Sequence, residues 1–507
     1  MSPGEEQLRA HLEHPLQRGH SPAGGHSGAA GGAACGDLVR ISVKLDPGGE
    51  GLLSDAGFEA SGCGAAIAAG SAAVALVRRS PLLDAARIGP TEIAAELGGL
   101  SATKQHAAEL AADALHRALG AAAREHAALT PQPGRVLVAM SGGVDSAVAA
   151  LLSAREGAQA LGVTLELWAD ARNDAEASCC SAHAVRAARR LAHELGMPHL
   201  SIDLRQEFRA GVVDGWLADH AAGLTPNPCI RCNGNVRLDA MLELAHRLGA
   251  DALATGHYAR VERAPSGPLL RTAVDERKDQ SYVLSGLPTA SLERIRFPLG
   301  SLEKQQVREL AREAGLAVAG KRDSQDLCFL AGTRHAEFLE RHGGLGERPG
   351  AVLDRTGARL GEHRGAHLYT IGQRHGLGIA GPAATAGPYY VLSTDTATNT
   401  VTVGPRSALL AGAIEVLDMV LHRPAREVDG VRVRAHGRTL RCRLAGTPAR
   451  GIHRRGTVEL REPAERTAPG QIACLYSGEL VVGRATIAAG AEPARAAAAP
   501  GLALAAG

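Results

Sequence analysis

Aromatic residues, long apolar runs and an excess of one charge are scarce in this 507-residue sequence. Phe, Trp and Tyr make up only 3% of the chain while hydrophobic residues make up 45%, so Ala, Val and Leu must fill the interior. No apolar run approaches the roughly 20 residues of a membrane-spanning helix. The start, MSPGEEQLRAHLEH, lacks the basic-then-apolar pattern of a signal peptide. These absences predict a cytoplasmic protein with no membrane partner.

The charge balance limits how the protein could bind nucleic acid, and the cysteines indicate which chemistry it could perform. Lys and Arg total 55 against 53 Asp and Glu, so nucleic-acid binding requires a local basic patch. Nine cysteines occur in a chain without a secretory signal. In a reducing compartment such cysteines are more often reactive or metal-binding than paired in structural disulfides.

The residue pattern changes several times along the chain, and 507 residues are too many for a single hydrophobic core, so the sequence predicts several domains. The first part mixes a Gly-rich start, strand-like runs and helical stretches, which indicates an α+β domain. Apolar strands then alternate with helices, as in a doubly wound parallel sheet. Short strands between Gly and Pro indicate a small central domain and a C-terminal β-barrel. The predicted boundaries are 1–126, a Pro-containing linker at 127–134, 135–337, 338–410, 411–488, and a disordered tail at 489–507.

A glycine-rich loop, Ser141-Gly142-Gly143-Val144-Asp145-Ser146, joins a predicted strand to a predicted helix. Glycines let backbone amides approach an anion, and a helix N-terminus adds partial positive charge. The loop has neither the Gly-Lys-Ser/Thr end of a Walker loop nor the dinucleotide fingerprint. The alternative is an ordinary strand-to-helix turn. The six residues instead resemble the pyrophosphate loop (PP-loop) of N-type ATP pyrophosphatases, which implies that Asp145 and Ser146 help to hold Mg²⁺ and the phosphates of ATP.

Six further motifs follow in one order. They are Thr225-Pro-Asn-Pro-Cys-Ile-Arg-Cys-Asn233, Ala254-Thr-Gly-His-Tyr258, Lys278-Asp-Gln-Ser-Tyr282, Asp323-Ser-Gln-Asp-Leu-Cys-Phe329, Thr370-Ile-Gly-Gln-Arg374 and Pro469-Gly-Gln471. Together they resemble the bacterial tRNA-specific 2-thiouridylase family (MnmA) over about residues 135–487. The resemblance implies adenylation of the C2 oxygen of uridine by ATP, followed by replacement of that oxygen with sulfur.

Two cysteines receive catalytic roles from this resemblance. It assigns Cys328 to carry a persulfide and Cys232 to act as the nucleophile that attacks it, with a transient disulfide between them. A persulfide is the soft nucleophile that displacement of an activated oxygen requires. The alternative for an isolated cysteine is a buried small apolar residue, and Cys442 and Cys474, inside strand-like runs, take that interpretation.

Binding residues are also carried over from the family. Besides the loop, the expected ATP-site residues are Ala139, Met140, Leu165 and Gly256. The residues expected at the tRNA or its target base are Asn227, Pro228, Cys229, His257, Lys278, Asp279, Gln280, Arg434 and Gln471. The implied target is the wobble uridine at position 34 of tRNAs for Lys, Glu and Gln, extruded from the anticodon loop because C2 is inaccessible in a stack.

Arginines cluster in the predicted barrel despite the neutral total charge. They are Arg423, Arg426, Arg432, Arg434, Arg438, Arg441, Arg443, Arg454 and Arg455. A solvated face is the alternative, but a tRNA backbone needs such a surface, so we favour tRNA contact.

Cys229 departs from the family pattern, because many 2-thiouridylases have Asp at this position. The replacement creates a Cys-x-x-Cys pair with Cys232, and Cys328 would be a third thiolate. Three cysteines can hold a [4Fe-4S] cluster with one iron open for sulfide. A persulfide mechanism and a cluster on Cys229, Cys232 and Cys328 therefore both remain open at this stage.

The N-terminal region carries a second resemblance. Glu13-His-Pro-Leu-Gln-Arg-Gly19, Ala34-Cys-Gly-Asp37, Gly62-Cys63-Gly64 and Lys104-Gln-His106 resemble the NifU/IscU-like iron-sulfur scaffold proteins. The resemblance implies a metal site at Cys35, Asp37, Cys63 and His106, in which Ala107 replaces the third cysteine of the family. The remaining ligands suit Zn²⁺ or a mixed-ligand iron-sulfur cluster. The alternative is a docking domain without metal. In either case we expect a cysteine desulfurase or sulfur-relay partner.

Two other functions compete with tRNA thiolation. One is an iron-sulfur assembly scaffold with a non-catalytic nucleotide-binding appendage, and the other is an ATP-dependent amide-forming ligase. The first would require a broken PP-loop or a missing Cys232/Cys328 pair, and both are intact. The second leaves the paired cysteines without a role.

Overall fold

The computed structural model describes residues 3–32, 36–48, 51–156, 159–170, 181–264, 267–323, 327–330, 332–380 and 387–489. Cys35 and all but the first residue of the predicted disordered tail lie outside the described residues. The chain divides into two compact units. The first contains residues 1–215, 228–343 and 479–481, and the second contains 216–227, 344–478 and 482–507.

The N-terminal part of the first unit is an α+β domain, as predicted. Its elements are α1 (Pro3–Glu13), β1 (His26–Gly31), β2 (Leu38–Leu45), β3 (Leu53–Ser61), α2 (Gly64–Val77), α3 (Leu82–Ala85), α4 (Pro90–Glu96) and α5 (Gln105–His126). The three strands form an antiparallel sheet in the order β1-β2-β3. Val39, Ile41 and Val43 alternate along β2 and are fully buried, so one face of the sheet packs in the core.

The rest of the first unit is built on a five-stranded parallel sheet. The elements of residues 135–343 are β4 (Arg135–Ala139), α6 (Val144–Arg155), β5 (Gln159–Glu166), α7 (Ala182–Glu194), β6 (His199–Asp203), α8 (Arg205–Phe208), α9 (Asp214–Ala221), α10 (Pro228–Cys232), α11 (Leu238–Arg247), β7 (Ala252–Ala254), β8 (Arg260–Ala264), β9 (Gly267–Arg271), α12 (Ser281–Leu284), β10 (Ile295–Arg296), α13 (Lys304–Glu313) and α14 (His335–Gly343). The strand order is β10-β7-β4-β5-β6, which confirms the predicted doubly wound sheet. The order reverses beside β4, and ligands of such sheets bind at this switch point.

Helix α5 covers β6, the edge strand of this parallel sheet. A Cβ atom on Gly120 would lie 1.9 Å from the Ser201 carbonyl oxygen, so the helix backbone lies directly on the strand. Arg117 forms a bidentate ion pair with Glu166, with N–O distances of 2.7 and 2.8 Å. Asp113 binds Arg186 and Arg189 of α7 at 2.7 and 2.8 Å. The N-terminal domain is therefore packed on the α/β domain through a charged and largely buried interface.

The second unit contains two β structures. A four-stranded sheet has the order β12-β11-β14-β13, formed by β11 (Gly350–Leu353), β12 (Arg359–His363), β13 (Tyr390–Asp395) and β14 (Thr400–Gly404). The barrel strands are β15 (Leu410–Leu421), β16 (Gly430–Arg432), β17 (Leu440–Leu444), β18 (Gly451–Glu465), β19 (Ile472–Ser477) and β20 (Leu480–Ile487). The pairing of β15 with β20 closes this six-stranded barrel, which confirms the C-terminal prediction.

Two buried cysteines of the barrel have packing roles. Cys442 and Cys474 are 4% and 0% exposed, which agrees with their interpretation as apolar core residues. Burial, together with the nearby Asp429 carboxylate, raises the pKa of the Cys442 thiol to about 12. Among the described residues, no helix is both long and apolar enough to cross a membrane.

Candidate active site

The PP-loop lies at the switch point, between the end of β4 and the start of α6. Gly142 has φ +69°, and a Cβ atom there would lie 2.8 Å from the Ala184 carbonyl oxygen. The Ser146 hydroxyl donates to the Gly143 carbonyl oxygen at 3.0 Å and accepts from the Ser141 amide at 3.1 Å. The loop is thus a tight turn on a helix N-terminus, the geometry that binds phosphate groups.

The loop is joined by two other predicted ATP-site positions. A Cβ atom on Gly256 would lie 2.7 Å from the Ser146 amide nitrogen, so only glycine allows the strand end after β7 to approach α6. On the other side, a small apolar cavity lies at the ends of β4 and β5. Its walls include Ala139, Met140, Ser141, Val163, Leu165, Leu167, Arg237 and Met241. The structure therefore brings four of the predicted ATP-site residues to one cavity.

The Asp145 carboxylate belongs to an ionic cluster that the sequence pattern does not predict. Lys304, the first residue of α13, places its Nζ 2.7 and 2.8 Å from the two Asp145 carboxylate oxygens. The Tyr258 hydroxyl donates to Asp145 Oδ1 at 2.8 Å. Burial and the Asp145 carboxylate raise the pKa of Tyr258, so its hydroxyl stays a proton donor at neutral pH.

A second carboxylate extends the ionic cluster. Asp323 accepts from Lys278 at 2.6 Å, from Lys304 at 2.9 Å and from Arg308 at 3.0 Å. Burial alone would raise the pKa of Asp323, but the hydrogen bonds from Lys278 and Lys304 prevail and lower it. Lys321 donates to the Gly142 carbonyl oxygen at 3.0 Å, inside the loop itself. Asp275 is a third carboxylate, which accepts from the Lys304 amide at 3.0 Å. Four cations (Lys278, Lys304, Arg308 and Lys321) thus lie near three carboxylates, which leaves an excess of one positive charge beside the loop.

Three residues predicted to touch tRNA have internal partners in the structure. The Asp279 carboxylate is 4% exposed and accepts from the Ala273 amide at 2.9 Å and the Ser281 hydroxyl at 2.7 Å. Gln280 Oε1 accepts from the Tyr258 amide at 2.9 Å. Burial and Arg237 lower the pKa of His257 to about 3, so its ring is neutral. These hydrogen bonds give Asp279 and Gln280 an orienting role inside the protein, and their contact with tRNA stays a prediction.

The Cys-x-x-Cys pair lies on the short helix α10. Cys229 and Cys232 are three residues apart and therefore share a helix face. Cys232 is 8% exposed, whereas Cys229 is half-buried. Gly234 lies two residues after Cys232, and a Cβ atom there would lie 2.9 Å from the Gly286 carbonyl oxygen. This close backbone approach fixes the helix that carries Cys232.

Cys328 lies in a turn and is half-buried. Among the described residues, two groups of three ligand-type side chains have their ligand atoms within 4.8 Å of one another. They are Asp37, Cys63 and His106, and His26, Glu125 and His126. Within the part of the chain that the structure describes, Cys229, Cys232 and Cys328 do not form a third such group.

The first of these groups is the predicted N-terminal metal site. Asp37 Oδ2 accepts from His106 Nε2 at 2.9 Å and from Cys63 Sγ at 3.1 Å. The Cys63 amide and His106 hydrogen bonds lower the pKa of Asp37, and the Asp37 hydrogen bond raises that of His106. A Cβ atom on Gly62 would lie 2.0 Å from Asp37 Oδ1, so the Gly-Cys-Gly turn requires glycine. Ala107, in place of the third family cysteine, is fully buried.

Two residues of the second unit that are predicted to contact tRNA, Gln471 and Arg434, lie in different surroundings. Gln471 Nε2 donates to the Thr225 carbonyl oxygen, and the Thr225 amide donates to the Pro469 carbonyl oxygen at 3.0 Å. Gln471 thereby holds the start of the segment that contains Asn227 and Pro228. Arg434 is exposed on the barrel. So are other members of the predicted basic cluster, namely Arg426, Arg438, Arg441, Arg443, Arg454 and Arg455.

Four family models match the chain in succession. They are a NifU-like N-terminal domain at residues 5–127, a tRNA methyl transferase HUP domain at 134–332, a tRNA methyl transferase PRC-barrel domain at 336–405 and an aminomethyltransferase β-barrel domain at 419–487. Their order follows the N-terminal domain, the parallel-sheet domain, the four-stranded sheet and the barrel described above.

Whole-chain relatives agree with these domain matches. The chain is 41% identical to the bifunctional protein NifU/MnmA of Rubrobacter xylanophilus, over 94% of this chain and 97% of that protein. It is 43% identical to the tRNA-specific 2-thiouridylase MnmA of Acidothermus cellulolyticus and 44% identical to that of Thermobifida fusca. Each of these two matches covers 70% of this chain, and 97% and 95% of the relative. The chain therefore belongs to the tRNA-specific 2-thiouridylase (MnmA) family, in the form that carries a fused NifU-like domain.

Proposed function

We propose that this protein is a tRNA-uridine 2-sulfurtransferase that uses ATP to activate the C2 oxygen of the wobble uridine and replaces it with sulfur. One observation carries the proposal. The first unit holds both an anion-binding PP-loop with excess positive charge and the helix that presents Cys232. An enzyme that performed only phosphate chemistry would need the PP-loop but would leave the cysteines without a role. Sulfur transfer uses both.

The first half-reaction is adenylation. The uridine O2 attacks the α-phosphorus of ATP, an O–P bond forms, and the bond to the β-phosphate oxygen breaks to release diphosphate. Loop amides, Lys304 and Lys321 stabilise the negative charge that develops on the phosphates. The Asp145 carboxylate, at the helix start, offers the hard oxygen ligand that Mg²⁺ prefers and would hold the ion that accompanies ATP.

The second half-reaction delivers sulfur. The terminal sulfur of a Cys328 persulfide attacks C2, and AMP leaves with the original oxygen. Cys232 then attacks the Cys328 sulfur, which breaks the S–S bond, releases 2-thiouridine and forms a disulfide between Cys232 and Cys328. An external thiol reductant must restore both thiols before the next cycle. Because the three cysteines do not form a compact ligand group in the described structure, we derive no step through a cluster.

The tRNA is bound by a broader surface. The exposed barrel arginines suit contacts with the phosphate backbone, and Asn227, Pro228 and Cys229 would contact the extruded base. The target would be uridine 34 of tRNAs for Lys, Glu and Gln, and the reaction would take place in the cytoplasm.

The N-terminal domain would supply the sulfur. Asp37, Cys63 and His106 converge as a carboxylate, a thiolate and an imidazole, which suits Zn²⁺, or a mixed-ligand cluster if Cys35 contributes. We propose that this domain recruits a cysteine desulfurase or a sulfur-relay protein. The whole-chain relative named as a bifunctional NifU/MnmA protein supports this interpretation and not an iron-sulfur scaffold with an inactive appendage.

One experiment separates the persulfide route from the cluster. The full-length protein is purified anaerobically, its iron is quantified by Mössbauer spectroscopy, and thiolation of tRNA is assayed with a persulfide donor. We expect full activity in iron-free protein. Activity that depends on bound iron, and falls when Cys229 is replaced by Ala, would overturn the persulfide route.

A further inference from the structure

A second cluster of metal-ligating side chains consists of residues outside the ligand set that the NifU/IscU-like resemblance implies. His26 is the first residue of β1, and Glu125 and His126 end α5. None of the three belongs to the Asp37, Cys63 and His106 group. We propose that His26, Glu125 and His126 form a site for a divalent transition-metal ion of the Zn²⁺ class.

The distances are close to those of a coordination sphere. One ligand atom from each side chain lies within 4.8 Å of the other two. His26 Nδ1 is 3.9 Å from Glu125 Oε2, and the His26 and His126 ring centroids are 4.8 Å apart. Bonds of about 2.0–2.1 Å to Zn²⁺ place tetrahedral ligands about 3.3 Å apart. The Glu125 side chain is 63% exposed, so its rotation is free to close the remaining gap.

The electrostatics of His26 point to a cation. Its Nε2 is buried and has no hydrogen-bond partner among the described residues, and its Nδ1 faces a carboxylate. If the proton is on Nδ1, the Nε2 lone pair is left unsatisfied. If the proton is on Nε2, the Nδ1 lone pair faces the carboxylate oxygen, which is itself an acceptor. A metal ion bound by Nδ1 and the carboxylate removes the repulsion between these two acceptors and places the proton on Nε2.

The two elements that carry the ligands are held rigidly against each other. A Cβ atom on Gly28 would lie 2.2 Å from the Ala114 carbonyl oxygen, so α5 packs directly on β1. Arg117 Nη1 also donates to the Ala29 carbonyl oxygen at 2.7 Å. The separation of β1 from the end of α5 is therefore set by packing and does not depend on the metal.

The position of the site suggests a structural role. Arg247 Nη1 of α11 donates to the Glu125 carbonyl oxygen at 3.2 Å, and the Leu129 amide donates to the Arg247 carbonyl oxygen at 2.8 Å. An ion at the site would tie β1 to the end of α5, where the chain enters the linker to the α/β domain. With three protein ligands, a tetrahedral ion would keep one position for water, and Zn²⁺ itself has no redox chemistry.

The test uses the full-length chain with Cys63→Ala and His106→Ala, which removes the other ligand group. Zn²⁺ content is measured after dialysis, and Co²⁺ titration is followed by absorption. We expect one bound ion with nitrogen and oxygen ligands, seen as visible d–d bands without intense near-ultraviolet thiolate-to-cobalt absorption. Adding Glu125→Gln or His126→Ala, both at exposed positions, should weaken its binding by about 100-fold or more. His436→Ala, on the barrel, is the matched control and should bind as before.

Two results would overturn the proposal. One is equal Zn²⁺ content and an unchanged Co²⁺ spectrum in the Glu125→Gln and His126→Ala proteins. The other is the absence of any nitrogen- and oxygen-ligated ion once Cys63 and His106 are replaced. Because the readout is metal binding, thiolation activity does not affect the outcome.

Discussion

Lys304 links the two carboxylates of the ionic cluster, since its ammonium group contacts both Asp145 and Asp323. When ATP binds, this cation lies where phosphate charge must be neutralised. We predict that Lys304→Met lowers the rate of tRNA-dependent diphosphate release by about 100-fold, as loss of one preorganised donor does in other active sites. Lys44→Met, on β2, is the matched control and should keep the wild-type rate. A wild-type rate for Lys304→Met would contradict the role of this cluster.

The PP-loop itself follows from six consecutive residues, but Lys304 and Lys321 are separated from it by more than 150 positions of sequence. Isolated lysines in a helix and a loop have no local pattern that marks them as phosphate ligands. Their role emerges only when the sheet brings α13 to the end of β4. The same limit applies to Asp279, since nothing in the local sequence shows that its carboxylate is buried.

We predict that the buried His199 of the edge strand β6 makes the stability of the protein depend on pH. Burial holds the pKa of His199 well below the ordinary value, and the positive charge of Arg189 lowers it further. The folded protein thus keeps His199 neutral, while the unfolded chain takes up a proton below about pH 6.5. Stability should therefore fall as pH drops below that value. His199→Gln should reduce the slope by about 1.4 kcal/mol per pH unit in calorimetric unfolding between about pH 6 and 5. An unchanged slope would show that His199 is protonated in the fold; His436→Gln controls for exposed histidines.

At the scale of elements, α5 is the helix on which both halves of the first unit depend. Arg189, 3% exposed, has its charge balanced by Asp113. Asp113→Ala leaves a buried cation, and breaking such pairs costs about 3–5 kcal/mol. Glu109→Ala, at the half-exposed pair with Arg186, should cost about 0–1 kcal/mol. The check is the free energy of unfolding of both variants, measured from the first transition in urea. Equal small losses of stability in the two variants would argue against a buried interface.

The sequence pattern predicts α5 as a helix, but not what it covers. Its inner face is made of alanines, and in an Ala-rich chain such a stripe carries little information. The strands and barrel were easier to predict, because apolar alternation and turn residues repeat along them. The docking of α5 on β6 depends on Gly120 and on charges from three separate elements (α5, β5 and α7), which no single segment reveals.

At the scale of the whole molecule, the fused domain predicts a dependence on the sulfur donor. Cys63→Ala should lower thiolation several-fold when sulfur comes from a cysteine desulfurase and cysteine, because the donor domain loses its thiol. With a low-molecular-weight persulfide as donor, which passes its outer sulfur directly to the Cys328 thiolate and leaves as a thiol, the rate should match wild type. Cys442→Ala, a buried barrel thiol, is the control. Full-length variants are required, because deletion of residues 1–126 would expose β6 and the buried charges of Arg189 and Glu166. Equal losses with both donors would contradict a donor role.

The central claim is that the PP-loop and the Cys232/Cys328 pair together make 2-thiouridine. Its most direct test is mass spectrometry of nucleosides from unmodified tRNA for Lys, Glu or Gln, incubated with the protein, ATP and a sulfur donor. We predict 2-thiouridine at position 34 with one AMP per thiolated base. Cys232→Ser and Cys328→Ser should yield none, whereas Cys442→Ala should retain activity. Unmodified uridine with the wild-type protein, or 2-thiouridine with either serine variant, would contradict the account.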